Sequence, residues 1–561
     1  MYILGISCGG ESGVALFKDS ELICASNEER FSRIKLDMSF PKKALEWCLN
    51  YANIESDQVD LITYGFSAGC ETLSQKLNWL DTLMSIDTSK DDAKIIKDRV
   101  ITETEIDAQK YKEFLLEVKS FFKRDILIER INHHISHVAT AYIASGMDKA
   151  LVITADGRGD YRSVTICIAT KDGFEELYIS PSWNSLGYFY GRMTKLCGFT
   201  ANRHEGKVTG LAASGDYKKA LSFVKKMIYV KNGKVISNIG DYYRPFFSNY
   251  SQKLLDEASN FDKKDLAAAT QYYFEEMIVE LIKYYVDETK LTNIALAGGV
   301  FSNISLNQAI YEINKDIDIF VYPNMGDAGI CVGSCYAWLW EKNKILPSRI
   351  ESVYLGYEIN SKLLYNKLKQ TGRYTILNPN NIYDEIVQML IDGKTIGLAT
   401  SNAEFGPRAL GNRSIIASPK DLNVIKKINN QLGRDIFMPL APIIPVELAD
   451  KFILLKNEKS INKGYFMTMT YDSKPILKDV AEAIVHLDGT VRPQFVTKEK
   501  NEFLHGLLMY WYDKTGSPAL INTSFNAHEE PIVNDEKDVI NALNNNVVDA
   551  LLFPPYIAIN S

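Results

Sequence analysis

His133 and His137 stand four residues apart in Asn-His-His-Ile-Ser-His. On a helix that spacing puts both imidazoles on one face, one turn apart, which is what two histidines need to grip a single cation. A helix beginning at Asn132 or His133 would point His134 elsewhere. Two ligands do not close a site, so carboxylates at loop tips are the natural complement. Asp156 ends the apolar run Leu-Val-Ile-Thr-Ala and precedes Gly-Arg-Gly. A charge at the carboxyl end of a buried strand faces a crevice rather than the core. Asp327 stands in Met-Gly-Asp-Ala-Gly ahead of an apolar helix, where capping that helix is its other use. Two His and two Asp form a mixed nitrogen and oxygen set, better suited to Fe, Mn or Zn than to Ca or Mg. Surface histidines and a helix cap are the alternative. The chain has only seven histidines, and three of them fall between 133 and 137.

Three turns carry glycines that let backbone N–H groups approach phosphate: Gly9-Gly10-Glu11-Ser12-Gly13, Asp156-Gly157-Arg158-Gly159 and Ala297-Gly298-Gly299-Val300. Each follows an apolar strand. None is a P-loop or a dinucleotide fingerprint. Lys207, flanked by Gly206 and Gly210, reads as a loop cation suited to an anionic group, or as a solvated lysine. In the second half, Glu404-Phe-Gly-Pro-Arg408-Ala-Leu-Gly-Asn-Arg413-Ser414 is a rigid cationic loop whose planar guanidinium forks match phosphate or carboxylate oxygens. Arg434 and Arg492 lie in other loops of that half, and Asn522-Thr523-Ser524 offers neutral donors. A salt-bridge knot is the other reading of such a loop.

Alternating strands and helices must position these groups, which makes the class α/β throughout. The opening 33 residues read as strand, Gly-rich turn, strand, turn, strand, and a helix follows Pro41. The stretch 71–125 reads as a polar helical surface insertion with no chemistry of its own, and it is a candidate wall of an acceptor pocket. A long helix is expected over 262–290, and the aromatic stretch Trp183–Tyr190 is either core or a pocket wall. Two domains are expected, 1–350 and 351–561, in a chain of 561 residues. A net charge of −7 argues against a nucleic-acid partner. Eight scattered cysteines and no apolar run near the ~20 residues of a bilayer span point to a cytoplasmic protein without a membrane partner.

Taken together, the segments EERFSR, NHHISHVATAY, HEGKVTGLAASG, GGVFSNISLN, GDAGICVG, EFGPRALGNRSI and NTSFNAHEEPIV resemble the O-carbamoyltransferase family of the NodU/CmcH type, which includes the tobramycin carbamoyltransferase. The resemblance implies an actin-like (ASKHA) first half with a metal, often iron, held by His133, His137, Asp156 and Asp327. Nucleotide contacts would come from Gly157, Gly298, Gly299 and Asn303. It implies a YrdC-like second half that makes a carbamoyl-adenylate from ATP and carbamoyl phosphate, with Mg accompanying ATP. Arg408, Arg413, Arg434, Arg492, Asn522 and Ser524 would handle phosphate or carbamoyl groups. An acceptor hydroxyl on a sugar or secondary metabolite would then attack at the metal centre, with Glu11, Lys207 and Arg408 as the catalytic side chains. A homodimer fits the same picture.

Four positions depart from the family pattern. Gly10-Glu11 replaces His-Asp, Leu36 replaces His, Leu432 replaces Lys, and Met438 replaces Arg. Proton transfer and positive charge do not survive those exchanges unaided. Three readings stay open: carbamoyl transfer with Glu11 as base and Arg434 covering the anion; ATP-dependent formation of an amide or another acyl product; or a nucleotide-binding subunit without catalysis.

Overall fold

The computed structural model describes residues 1–67, 90–244, 250–433 and 440–560. The chain forms two compact units. The first is Met1–Ile23 with Met38–Ile350, and the second is Cys24–Asp37 with Glu351–Ser561. The division expected at 350/351 therefore needs one amendment: the EERFSR segment belongs to the second unit. The cause is a set of long-range bonds invisible in local sequence. Arg30 donates to Gly406 O (2.7 Å), and Arg33 donates to Ile532 O (2.7 Å) and Pro531 O (2.8 Å) and pairs with Asp538.

In the first unit, β1 (Tyr2–Ser7), β2 (Gly13–Lys18), β3 (Glu21–Asn27), β4 (Leu61–Tyr64) and β5 (Leu127–Arg130) form a sheet in the order β3-β2-β1-β4-β5. Next come β6 (Lys149–Gly159), β7 (Arg162–Thr170) and β8 (Gly173–Pro181), a hairpin of β9 (Ile228–Lys231) and β10 (Lys234–Ser237), then β11 (Asn293–Ala297) and β12 (Asp318–Val321). The second sheet runs β12-β11-β6-β7-β8. Both sheets repeat one plan: an antiparallel hairpin whose first strand is flanked on its other side by parallel strands. The central strands β1, β4 and β11 are almost entirely buried on both faces because helices cover them. The helices His133–Ser145 and Ile330–Glu341 pack so closely that a Cβ on Gly333 would stand 2.1 Å from Ser136 O.

Two local features aim side chains at one end of this unit. The β6–β7 hairpin turns through Asp160 (φ 48°) and Tyr161 (φ 63°), the pair of left-handed residues that a two-residue turn of this kind requires. Just before it, the ladder slips between Ala155 and Gly159. A bulge of this kind re-aims the residue it contains, here Asp156.

Residues 71–89 of the expected surface insertion lie outside the described residues. The remainder is the helix Lys90–Phe122, and it is not a mere surface element: Ile96, Glu103, Phe114, Val118 and Phe122 are buried. Lys207 is also not on a loop. It lies in the helix Glu205–Ala212, where Gly206 takes ordinary helical angles and faces open space. The helix Lys263–Thr289 covers the expected span, and Trp183 and Phe189 are core.

The second unit holds a mixed sheet of eight strands. Its strands are β13 (Tyr374–Leu377), β14 (Ile396–Leu398), β15 (Ser414–Ala417), β16 (Ala441–Pro445), β19 (Gln494–Val496), β20 (Leu520–Ser524), β21 (Ala550–Phe553) and β22 (Tyr556–Asn560). Their order is β13-β22-β21-β14-β15-β20-β16-β19, and a small ribbon of β17 (Tyr471–Asp472) and β18 (Thr490–Val491) stands apart. The helices Ile382–Ile391 and Glu502–Thr515 close its core around Ile386, Leu390, Leu504, Leu507 and Trp511. No helix among the described residues is long and apolar enough to cross a membrane.

Candidate functional site

Asn132 starts the His133–Ser145 helix by accepting from Ile135 N (3.2 Å), and Asp160 accepts from His133 N (2.7 Å). The helix start is thus fixed from two sides. His133 and His137 come out on one face, both essentially without solvent exposure. The bulge in β6 brings Asp156 to them, and the short turn Asp327–Gly329 brings Asp327. Asp327 does not cap the helix that follows, whose N-cap position is Gly329 without a side-chain bond.

His133 Nε2 is 3.6 Å from both Asp156 Oδ2 and Asp327 Oδ1. His137 Nε2 is 3.2 Å from Asp156 Oδ2 and 3.8 Å from Asp327 Oδ1. One ligand atom from each residue lies within 4.8 Å of all the others. Tetrahedral bonds of about 2.1 Å put ligand atoms about 3.4 Å apart, so these spacings suit one cation at the centre. Three of the converging atoms, His133 Nε2, His137 Nε2 and Asp156 Oδ2, are buried without a hydrogen bond, an expensive state for polar atoms that have no ligand to share. The donor set therefore fits a divalent metal.

The electrostatics agree. Burial disfavours protonated His137, but Asp156 and Asp327 outweigh it and push its pKa up to about 9. Burial works to raise Asp156, and the two imidazoles hold it well below the usual carboxylate range instead. His134 is turned away, its Nδ1 2.7 Å from Thr154 Oγ1, and burial beside two other imidazoles keeps it neutral.

The three glycine turns meet at this cluster. A Cβ on Gly10 would stand 1.9 Å from Asp327 Oδ2, and one on Gly299 would stand 3.1 Å from Asp156 Oδ1. Gly157 N donates to Asp156 Oδ1 (2.8 Å), and Gly159 leaves room for the His133 ring. The missing side chain at position 10 is thus a condition for Asp327 to stand where it does. Glu11 approaches from the same turn, its Oε2 3.4 Å from where a Cβ on Gly326 would be. Asn303 caps the helix Ile304–Tyr311, accepting from Leu306 N (3.1 Å). Lys207 lies 5.9 Å over the Phe199 ring.

Sequence reasoning missed three groups. Arg158 forms a two-bond pair with Asp107 (3.0 and 3.2 Å), and Lys110 donates to Gly9 O (2.6 Å). Asp107 and Lys110 both come from the helix Lys90–Phe122. Their spacing with Arg99 and Glu103, which puts all four on one helix face, was the available signal.

In the second unit Glu404 organises the arginine loop, its Oε1 accepting from Leu410 N, Asn412 N and Arg413 N. Arg413 is a correction. Its guanidinium is fully buried and bonds the carbonyls of Asn534, Thr400, Asn412, Tyr357 and Ser401, so its donors serve the fold rather than an anion. Arg408 is half-buried, and burial pushes its pKa down. Asn522 donates to Ala409 O and Gln494 Oε1, and Ser524 pairs with Ser414 across β20 and β15. Arg492 sits close enough to His486 to help lower that imidazole's pKa. A small pocket of about 20 Å³ borders the loop at Leu410 and is also lined by Tyr354, Tyr465, Gln494 and Lys500. Leu432 is buried at the end of its helix. Arg434 and Met438 lie outside the described residues.

The family description "Carbamoyltransferase N-terminus" matches residues 2–336, and "Carbamoyltransferase C-terminus" matches residues 387–559. The chain is 32% identical over 568 residues to an uncharacterized protein of Methanocaldococcus jannaschii, covering 99% of each. It is 28% identical to the nodulation protein NolNO of Sinorhizobium fredii, covering 98% of this chain and 78% of that one. Among solved structures, component A of the (R)-2-hydroxyglutaryl-CoA dehydratase of Acidaminococcus fermentans is 12% identical. That match covers 61% of this chain and 99% of that one, at a TM-score of 0.31.

Proposed function

The chain belongs to the carbamoyltransferase family, and from that premise we propose that it moves a carbamoyl group from carbamoyl phosphate, through a carbamoyl-adenylate made with ATP, to a hydroxyl of a small-molecule acceptor. The observation that carries the reading is the convergence of His133, His137, Asp156 and Asp327, with orphaned buried donors and acceptors at its centre. The repeated sheet plan of the first unit supports an actin-like fold. The YrdC-like adenylating role of the second unit rests on the family to which residues 387–559 match.

A carbamoyl carbonyl is a poor electrophile because its nitrogen donates into it. In the second unit, water attacks the phosphorus of carbamoyl phosphate and breaks its bond to the bridging oxygen, giving phosphate and carbamate; a carbamate oxygen then attacks the α-phosphorus of ATP, forming the carbamoyl-adenylate and expelling pyrophosphate. Arg408 neutralises charge on the phosphates. In the first unit the acceptor oxygen attacks the carbamoyl carbon, the bond to AMP breaks, and AMP leaves with the electron pair. Glu11 takes the hydroxyl proton, filling the role left by the absent histidine at position 10. A divalent metal, when bound, supplies Lewis acidity at the carbonyl, and Fe, Mn and Zn all suit the donor set.

The test is carbamoyl-phosphate-dependent release of pyrophosphate from ATP by the purified protein. Its absence with every acceptor tried would sink the proposal. A second reading draws on Leu432, which is buried and apolar where the family pattern has a lysine. It makes the protein an ATP-dependent former of an amide or other acyl product, and a carboxylate or amine that supports ATP cleavage would favour it.

A further inference from the structure

The helix Lys90–Phe122 lays four charges along one face, at positions 99, 103, 107 and 110. Three of them are neutralised in place. Arg99 pairs with Glu103 at 2.8 Å, and Asp107 pairs with Arg158 at 3.0 Å. Lys110, which ends the row, differs. Among the described residues no carboxylate lies at ion-pair distance from it, and of its three donors Gly9 O takes one.

Its position is informative. The ammonium lies against the Gly9-Gly10 turn, where a Cβ on Gly9 would stand 3.1 Å from Lys110 Cδ and 3.5 Å from Nζ. The next residue, Gly10, abuts the Asp327 carboxylate. With a divalent cation in place, Asp156 and Asp327 are committed to the metal and Asp107 to Arg158, while Glu11 adds a negative charge from the same turn. The half-buried ammonium keeps donors to spare beside the centre, and an anionic oxygen can fill them. Burial and the nearby Arg158 depress the Lys110 pKa, and Asp107 and Asp327 work against them.

We propose that Lys110 forms an oxyanion subsite at the metal centre, making the helix Lys90–Phe122 one wall of the transfer site. The ligand is a phosphate or carboxylate oxygen. Its source is either the phosphate of the activated donor or an acidic group on the acceptor, and that choice rests on the carbamoyl-transfer reading, whereas the subsite itself does not.

The experiment is isothermal titration calorimetry of the full-length protein with AMP and, separately, with succinate. Wild type is compared with Lys110→Met, Lys110→Gln and Lys110→Arg. Bound metal and melting temperature are measured on each. The expected result is binding at least tenfold weaker in the Met and Gln variants and within about threefold in the Arg variant, with metal content unaltered. Loss confined to AMP assigns the donor phosphate, and loss confined to succinate assigns an acidic acceptor. Equal binding in wild type and Lys110→Gln, or no binding of either probe by wild type, overturns the proposal. A wild type that binds a probe but releases no pyrophosphate from ATP fails the transfer reading and leaves the subsite standing.

Discussion

Replacing Gly10 by alanine adds one methyl group and should cost the protein its metal. The new Cβ would stand 1.9 Å from Asp327 Oδ2, 2.8 Å from its Cγ and 2.9 Å from its Cβ. A carbon and an oxygen settle no closer than about 3.3 Å, so Oδ2 must retreat by about 1.4 Å. Turning the carboxylate alone does not help, because Cγ and Cβ are also too near, and the whole side chain has to withdraw. Metal–ligand distances tolerate about 0.2 Å. Asp327 therefore leaves the ligand set, and affinity should drop about 10- to 100-fold, or about 1.4–2.8 kcal/mol. The assay is competition for Zn²⁺ or Mn²⁺ against a fluorescent chelator, with Gly206→Ala, whose Cβ meets nothing, as the control. Gly10→His should lose metal as well, although it restores the residue that the family pattern carries. If Gly10→Ala binds metal as wild type does, the close approach is not what holds Asp327, and the reasoning fails.

Three further outcomes can be checked. Burial, with help from Arg492, lowers the His486 pKa from its ordinary 6.5 to about 4. Between those values the unfolded chain binds the proton and the folded chain does not, so stability falls as pH drops from 6.5 towards 4; the gap between urea midpoints at pH 7 and pH 5 should narrow in His486→Gln, and an unchanged gap rules the effect out. Arg413→Lys cannot serve the same five carbonyls and should cost about 2–4 kcal/mol in denaturant unfolding, whereas Arg408→Ala should abolish pyrophosphate release with little loss of stability; the reverse pattern would exchange their roles. Asp160→Asn keeps the shape but weakens the hold on His133 N and should lower metal affinity about tenfold at an unchanged melting temperature, and wild-type affinity would show that Asn132 alone sets the helix start.

Three of the four converging side chains were legible in local geometry, whereas Asp327 read equally well as a helix cap and joined the set only through the family resemblance. Positions 133 and 137 share a helix face at any tertiary placement of that helix, and Asp156 ends a run that can only be a buried strand. Alternating strands and helices likewise announced an α/β chain. Other features depend on atoms distant in sequence, which no periodicity records. Gly10 read as a lost histidine until Asp327, more than 300 residues away, came to lie against it. Lys110 read as one polar residue among many in the 71–125 insertion until its helix reached Gly9. Arg413 and Arg408 look alike in the loop sequence, and only the tertiary structure shows five carbonyls converging on Arg413. The EERFSR segment joins the second unit through bonds that span some 500 residues. Residue types and short spacings determined which groups could do chemistry. The tertiary structure decided which of them share a site, because a side chain's partners are set by long-range packing rather than by its neighbours in the chain.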